Sequence, residues 1–329
     1  MIIILSAGSS VAESLPSKQM TRVRIPTGAF FNMEEEKLKK IGKFHDKYYK
    51  YLLLIPLLLL VFSFIYMGFF YSQNNDFIYK DISLTGGTSV TINGDLDSGE
   101  LKQFLSDKLE NLNVKEIYDI ITRKQIAVIL ETKTDGEMTK QILEDYLGYE
   151  LNSENSSFEF TGSTLGESFY KQLLIAILFA FLFMAIVVFI IFRTAVPSLA
   201  VITSAFLDIL MTLVVINLLG MHMSAAGMMA FLMLIGYSVD TDILLTTRVL
   251  KRDEGSLNRR IFGAFKTGTT MTLTSLLAII FALFVVSSFS SLLTQIFTIL
   301  AIGLGFDLFN TWIINVSILK WYAKKKNEN

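Results

Sequence analysis

Six stretches of this chain are long and apolar enough to cross a lipid bilayer, and they leave few choices of fold. A helix needs about 20 mostly apolar residues to span a hydrocarbon core of about 30 Å. The runs lie at 51–71 ("YLLLIPLLLLVFSFIYMGFFY"), 173–192, 197–219, 223–247, 267–287 and 292–321. Inside lipid, every backbone polar group has to be satisfied within the span. Runs of this length are therefore read as α-helices. The chain is 52% hydrophobic, and the excess is concentrated in these runs instead of being shared across one soluble core.

The connections set the orientation, because Lys and Arg are retained on the cytoplasmic side. The 33–50 lead-in carries Lys37, Lys39, Lys40, Lys43, Lys47 and Lys50. Arg193 follows the second run. The 248–266 loop holds Arg248, Lys251, Arg252, Arg259, Arg260 and Lys266, and the 322–329 tail adds Lys324, Lys325 and Lys326. The opposite connections, "LGMHMS" and "SSFSS", carry no charge. A cell-membrane protein with both termini cytoplasmic satisfies this pattern with six spans. Residues 1–32 have no basic region ahead of their short apolar run and no clear periodicity. They read as a disordered extension or a start-site artefact, not as a signal peptide.

One long loop, 72–171, falls on the extracytoplasmic side. Between residues 73 and 165 it holds 17 acidic and 8 basic side chains, a net −9. A loop of this length is expected to fold. "KDISLTGGTSVTI" alternates like a strand, and "DSGELKQFLSDKLENL" is an amphipathic helix with acidic residues at its start. "VKEIYDIITR" and "QIAVILETK" read as paired strands, "DGEMTKQILEDYLG" as a second helix ending on Gly148, and "SSFEFTG" as a last strand. The order is βαββαβ, that of a ferredoxin-like sandwich. The expected fold class is thus a polytopic α-helical membrane protein with an α+β ferredoxin-like domain inserted between its first two spans. "TGGT", at 85–88, is the most specific feature of that domain. As a turn or bulge it calls only for glycine flexibility.

Four carboxyls lie near the middle of spans: Asp208 in the third, Asp240 and Asp242 in the fourth, Asp307 in the sixth. A charge at the bilayer centre costs about 2.5–3.5 kcal/mol on insertion scales, so such residues face a bundle interior and do something there. At 1.5 Å per residue Asp240 lies about 12 Å inside Arg248. Asp208, Asp240 and Asp307 can therefore meet at one level. Asp242 is turned about 200° from Asp240 on the same helix, so one of the two faces the bundle core and the other a partner. No base lies as deep, since Arg248 and Lys266 sit at span ends. Hydroxyls and amides surround these positions: Ser238, Thr241, Thr246 and Thr247, then a Thr-rich start to the fifth span, then Asn310, Thr311 and Asn315. Gly227, Gly236, Gly303 and Gly305 permit close helix contact. Carboxyls with hydroxyl neighbours suit proton carriage, because a group titrating near ambient pH loads on one side and releases on the other. The structural alternative is a set of neutral hydrogen-bonded anchors between helices.

Several function classes drop out. With no cysteine there is no disulfide, thiolate metal site or cysteine nucleophile. His45 and His222 are the only histidines, so no histidine-rich metal site is expected. No nucleophile motif, phosphate loop or cofactor-binding motif is found, and the acidic exterior domain speaks against nucleic acid. The chain reads as a non-enzyme without a cofactor.

Three stretches carry a family resemblance: "DISLTGGTSV" with Asp81, Gly86, Gly87 and Thr88; "IGYSVDTDILLTTR" with Gly236, Tyr237 and Ser238; and "KTGTTMTLTSL". With the layout of one large loop and six spans, the chain resembles the SecF family of protein-export membrane proteins, relatives of the resistance–nodulation–division transporters. "FDLFNTW" is similar to archaeal members. The resemblance implies a SecD partner supplying a second six-span half, association with the Sec translocon channel, contact with exported polypeptides and lipids, and use of the proton gradient. It implies that the fourth-span acid carries protons. Bacterial members place Asn-Asp where this chain has Asp240-Thr241, so the acid is displaced by one residue and Asp242 is additional. They also have an arginine where Phe262 stands here, with Lys266 as a nearby substitute. A non-pumping scaffold of the translocon and a small-molecule exporter of the same superfamily are the competing readings.

Overall fold

The computed structural model describes residues 54–119, 122–251 and 255–328. The expectations for 1–32 and 33–50, the first residues of the first run and part of the 248–266 loop lie outside the described residues. Six helices are long and apolar enough to cross a membrane. They are α1 (Leu54–Asn74), α5 (Ser163–Phe192), α6 (Ala195–Leu218), α7 (Ala225–Lys251), α8 (Leu257–Val286) and a last span. That span runs as α9 (Ser291–Asn310), a wide π-type turn (Thr311–Asn315) and α10 (Val316–Glu328).

Between α1 and α5 the chain forms a short helix α2 (Ile82–Thr85), β1 (Gly87–Asn93), α3 (Ser98–Leu105), β2 (Asn113–Tyr118), β3 (Gln125–Thr132), α4 (Gly136–Leu147) and β4 (Ser156–Thr161). The sheet order is β2-β3-β1-β4 and every neighbouring pair is antiparallel. A βαββαβ chain folded as a ferredoxin-like sandwich gives this arrangement. Val90, Ile92, Val128 and Leu130 point from one face of the sheet onto Leu101, Leu105 and Leu143 of the helices, all fully buried. Asp97 and Asp135 cap the two helices by accepting from Gly99 N and Glu137 N. Gly148 closes α4 in the left-handed conformation.

Two expectations change here. Ile82–Thr85 reads as part of a strand but is a helical turn, because the Asp81 carboxylate caps it by accepting from Ser83 N at 2.6 Å. The second span's helix begins at Ser163, well before the apolar run at 173. Its polar first turns project beyond the apolar stretch and carry Gly166.

Gly166 explains "TGGT". A Cβ on Gly86 would lie 2.3 Å from Ser163 Cα, and one on Gly166 would lie 2.6 Å from Gly86 N. Gly86 also has φ +79° and Gly87 φ +142°. The motif is thus more than a flexible turn: it is the place where the domain's backbone lies directly on the α5 backbone. Other ties reinforce it. Asp81 N donates to Met223 O at 3.0 Å and Met223 N to Tyr79 O at 2.6 Å, across the α6–α7 turn. Asn217 Nδ2 donates to Phe77 O, and Ala225 N to Ser83 Oγ. Gln295 of α9 holds the same turn, accepting from Ser224 N and donating to His222 O.

The bundle's other end carries the basic residues. Lys251 Nζ donates to Ile191 O, and Arg248 Nη1 donates to Gly263 O. Gly227 and Gly303 do permit close approach, with Gln295 and Leu234 against them. Gly236 and Gly305 do not, since a Cβ at either would meet nothing within 4 Å.

Candidate functional site: a buried carboxyl cluster

Helix α7 turns one face to the bundle: Leu234, Ile235, Ser238, Thr241, Asp242, Leu245, Thr246 and Val249 are buried. This i, i+3, i+4, i+7 stripe puts Asp242 inside. The expectation that Asp240 joins Asp208 and Asp307 does not hold. Asp240 is exposed, in line with Met229, Met233, Gly236 and Tyr237 on the face away from the bundle. Helix geometry dictates the angle between the two acids but not which of them points inward.

Asp208, Asp242 and Asp307 are each 0% exposed, on α6, α7 and α9. Asp208 Oδ2 accepts from Ser238 Oγ at 2.6 Å, and its Oδ1 accepts from Asn310 Nδ2 at 2.6 Å. Asp242 Oδ1 accepts from Asn315 Nδ2 at 2.7 Å and from Thr311 Oγ1 at 2.8 Å. Thr311 Oγ1 also lies 3.3 Å from Asp307 Oδ1. Ser204 stands beside Asp242 without completing a bond of good geometry.

The π-type turn helps to build this site. It follows Asp307 closely and supplies both Thr311 and Asn315 to Asp242. Such wide turns inside helices are frequent at functional positions. Four acceptor oxygens around the cluster lack a donor among the described residues: Asp242 Oδ2, Asp307 Oδ2, Asn310 Oδ1 and Asn315 Oδ1. Buried polar atoms are nearly always hydrogen-bonded, and the Ser204 hydroxyl beside Asp242 is also without a partner among the described residues. The cations at the span ends do not reach the cluster. Lys266 is exposed, and Arg248 spends a hydrogen bond on a helix carbonyl.

Thr241, at the position where bacterial members have their acid, is buried against Thr272 at 3.3 Å. Several hydroxyls of the Thr-rich start of α8 bond their own helix. Thr270 Oγ1 donates to Lys266 O and Thr274 Oγ1 to Thr270 O, both at 2.7 Å, and both residues are exposed. Sequence reasoning misses Ser204. Its only signal is its place one turn before Asp208. Of the motif residues, Ser238 joins the cluster, Gly236 and Tyr237 lie on the outer face, Asp81 and Gly86 build the junction between the domain and the bundle, and Gly87 and Thr88 pack inside the domain, against Thr132 and Thr134.

A cavity of about 530 Å³ lies at that junction, lined by Asp76, Lys80, Asp81, Asn113, Glu131 and His222, among others. Burial and the neighbouring Glu131 charge hold the Asp81 carboxyl above the usual carboxylate range. Burial pushes the Asp76 carboxyl up too, but hydrogen bonds from Lys80 and Tyr170 outweigh it and leave that group low.

Residues 140–325 match the family described as protein export membrane protein SecD/SecF, C-terminal. The protein-export membrane protein SecF of Methanocaldococcus jannaschii is 40% identical over 283 residues, covering 84% of this chain and 96% of the relative. The Methanolacinia petrolearia protein of the same name is 36% identical, covering 84% and 94%. Among solved structures, SecDF from Thermus thermophilus, described as a translocon-associated membrane protein, superposes with a TM-score of 0.68 at 20% identity. That match covers 85% of this chain but only 38% of the SecDF chain. SecDF in its super-membrane-facing form gives a TM-score of 0.51 at 19% identity. These structures speak for the fold, and the relatives for the family: the chain belongs to the SecF family of protein-export membrane proteins.

Proposed function

We propose that this chain is the SecF half of a SecD–SecF complex that assists protein export, and that Asp208, Asp242 and Asp307 form its proton-responsive centre. The observation that carries this reading is the placement of three carboxyls at zero exposure in the bundle, held by hydroxyls and amides. Burying a carboxylate without a paired cation is costly, so the cluster's energy depends on its protons. A change of protonation there changes how α6, α7 and α9 fit together.

The outer end of the bundle would transmit that change. Helices α6 and α7 meet at the turn that is hydrogen-bonded to the exterior domain, so a shift of α7 moves the sheet. The domain would act on the emerging polypeptide beside the translocon channel. The charge asymmetry of the connections supports cytoplasmic termini in the cell membrane. No covalent chemistry is assigned to the chain.

The partner would supply what the longer SecDF chain has beyond this one. Asp240 supports a partner face on α7: a carboxylate exposed at mid-span is poorly placed against lipid. SecD is expected to cover Met229, Met233, Tyr237 and Asp240 and to offer Asp240 a donor. The test is Asp242→Asn in cells that depend on the complex. Export support is expected to fall while SecD still co-purifies. Normal export with normal assembly would sink the proton-coupled reading in favour of a scaffold.

A further inference from the structure

The sheet of the exterior domain has two faces. Val90 and Ile92 pack on the helices, so their neighbours Ser89 and Thr91 point the other way, towards the outer end of the bundle. Across the strands, Ser89 lies opposite Glu131 of β3 and Glu159 of β4, which puts both carboxyls on that second face. A cleft of about 310 Å³ is lined by this face and by the bundle. The sheet wall includes Lys115 and Thr161, and the bundle wall includes Ser224 and the 289–295 segment at the start of α9. Asp81 lines this cleft and also the 530 Å³ cavity.

The charges in the cleft do not balance. Among the described residues Lys115 is the one basic side chain lining it, and it is bonded to Glu131 at 2.6 Å. Lys80, nearby in sequence, is bonded to Asp76 at 2.6 Å. Asp81 is 7% exposed and forms no ion pair among the described residues; Ser83 alone holds its carboxyl. Capping α2 does not account for the charge, since Ser or Asn caps a helix about as well as Asp. Burying a carboxylate without a cation is costly. Glu159 is exposed and has no ion pair among the described residues either. On the far side of Asp81, Lys133 and His222 line the other cavity, so the excess of acid lies under the sheet. The start of α9 would favour an anion, but Ser290 Oγ already caps it by accepting from Leu293 N.

We propose that this cleft binds a lysine or arginine side chain of an extended exported polypeptide, with Asp81 as the buried counter-ion and Glu159 at the exposed rim. This rests on the reading that the domain acts on the emerging chain, and gives that action a place. The cleft suits a long basic side chain. Ile117, Ile129 and Leu292 line it beside the acids, and such apolar surface takes a methylene stem while the charged head reaches a carboxylate. Much of the remaining lining is hydroxyl, from Ser89, Thr91 and Thr161 on the sheet and Ser224 on the bundle. Permanent subunit contacts are more apolar, so a polar, charged cleft fits an occupant that comes and goes, as a passing chain does. Asp81 N also donates to Met223 O at 3.0 Å. The residue that takes the cation is thus itself tied to the α6–α7 turn.

The experiment is fluorescence anisotropy of short Gly–Ser peptides with one central Arg, Gln or Glu, added to the SecD complex in detergent. The Arg peptide is expected to bind about tenfold more tightly than the Gln peptide, the low end for a hydrogen bond between charged groups, and the Glu peptide more weakly than either. Asp81→Asn keeps the cap and loses the charge, so it should weaken the Arg peptide by about tenfold. Glu159→Gln, at an exposed position, should weaken it roughly twofold. Asp145→Asn removes the same charge from α4, on the other side of the sheet, and should change nothing. Equal binding of the three peptides, or equal losses in Asp81→Asn and Asp145→Asn, overturns the site. An Arg peptide that binds the isolated chain but not the SecD complex overturns the exported chain as occupant and assigns the cleft to a basic segment of the partner. If Asp81→Asn does not assemble, Glu159→Gln against Asp145→Asn decides. Absent binding beside an export defect in Asp242→Asn overturns the cleft and leaves the export reading standing. Arg-selective binding that depends on Asp81, with export support unchanged in Asp81→Asn, leaves the cleft standing and overturns its place in export.

Discussion

The α+β sandwich has an apolar core, whereas the membrane bundle buries a polar cluster among its apolar side chains. In the sandwich, Val90, Ile92, Leu101, Leu105, Val128, Leu130 and Leu143 meet in an apolar core. In the bundle, the middle of the packed interior holds Asp208, Asp242, Asp307, Asn310, Thr311 and Asn315. The solvent explains the difference. In water, apolar burial drives folding at about 25 cal/mol per Å². In lipid that drive between helices is missing, so packing and hydrogen bonds hold the bundle. An apolar interior is obligatory for the sandwich and optional for the bundle, which leaves the bundle free to house its chemistry inside.

Five variants test this contrast. The largest effect belongs to the seam between the two regions. Gly86→Val places a side chain against Ser163 at a φ that disfavours it, and is predicted to cost roughly 4 kcal/mol or more. Limited proteolysis should then find the domain detached or unfolded; a protected domain would break the account of "TGGT". Next come the two interiors. Leu130→Ala should destabilise the domain by about 2–5 kcal/mol, whereas Asp208→Asn should cost the bundle about 1 kcal/mol, one hydrogen bond. Thermal unfolding in detergent would compare them, and equal losses would undo the comparison.

A smaller effect concerns pH at the seam. Burial, then the Lys115 charge, hold the His222 imidazole below its ordinary value. The unfolded seam therefore binds more protons than the folded one between those two values. This contribution is complete above about pH 6.5 and is lost as pH falls below it. Hydrogen-exchange protection around Met223, corrected for the intrinsic pH dependence of exchange, should fall at acid pH, and His222→Gln should remove that part of the change. Asp81, raised in the folded state, contributes with the opposite sign at lower pH, so the His222 variant isolates one group. The smallest effect is Thr274→Ala. Its hydroxyl bonds its own helix on an exposed face, and both stability and export should stay within about 0.5 kcal/mol of wild type. A clear export defect would return the α8 hydroxyls to the functional site.

The spans are legible because a run of about 20 apolar residues has few other uses. The sandwich is legible because alternation and capping signals appear in βαββαβ order. The phase of α7 is not. In a soluble helix, polar residues mark the outside. In a membrane both the lipid face and the bundle interior are apolar, so "SVDTD" carries the angle between two acids without a direction. Placing Asp240 inward with Asp208 and Asp307 is accordingly the reverse of the structure, where Asp242 takes that place. The wide turn at Thr311–Asn315 also has no signal, since neither proline nor glycine marks it. The contact between Gly86 and Gly166 joins residues far apart in sequence, which periodicity cannot detect.

That contact has a mechanical consequence. A side chain between two backbones acts as a cushion, and rotamer changes absorb small displacements. Gly86 and Gly166 have no cushion, and Met223 is hydrogen-bonded to the segment Tyr79–Asp81 on the other side of the same platform. A tilt of α5 against α7 therefore has no slack to take up at its outer end. It reaches the sheet as rotation of a rigid lever, and the displacement grows with distance from the pivot, towards the end of the domain farthest from the membrane.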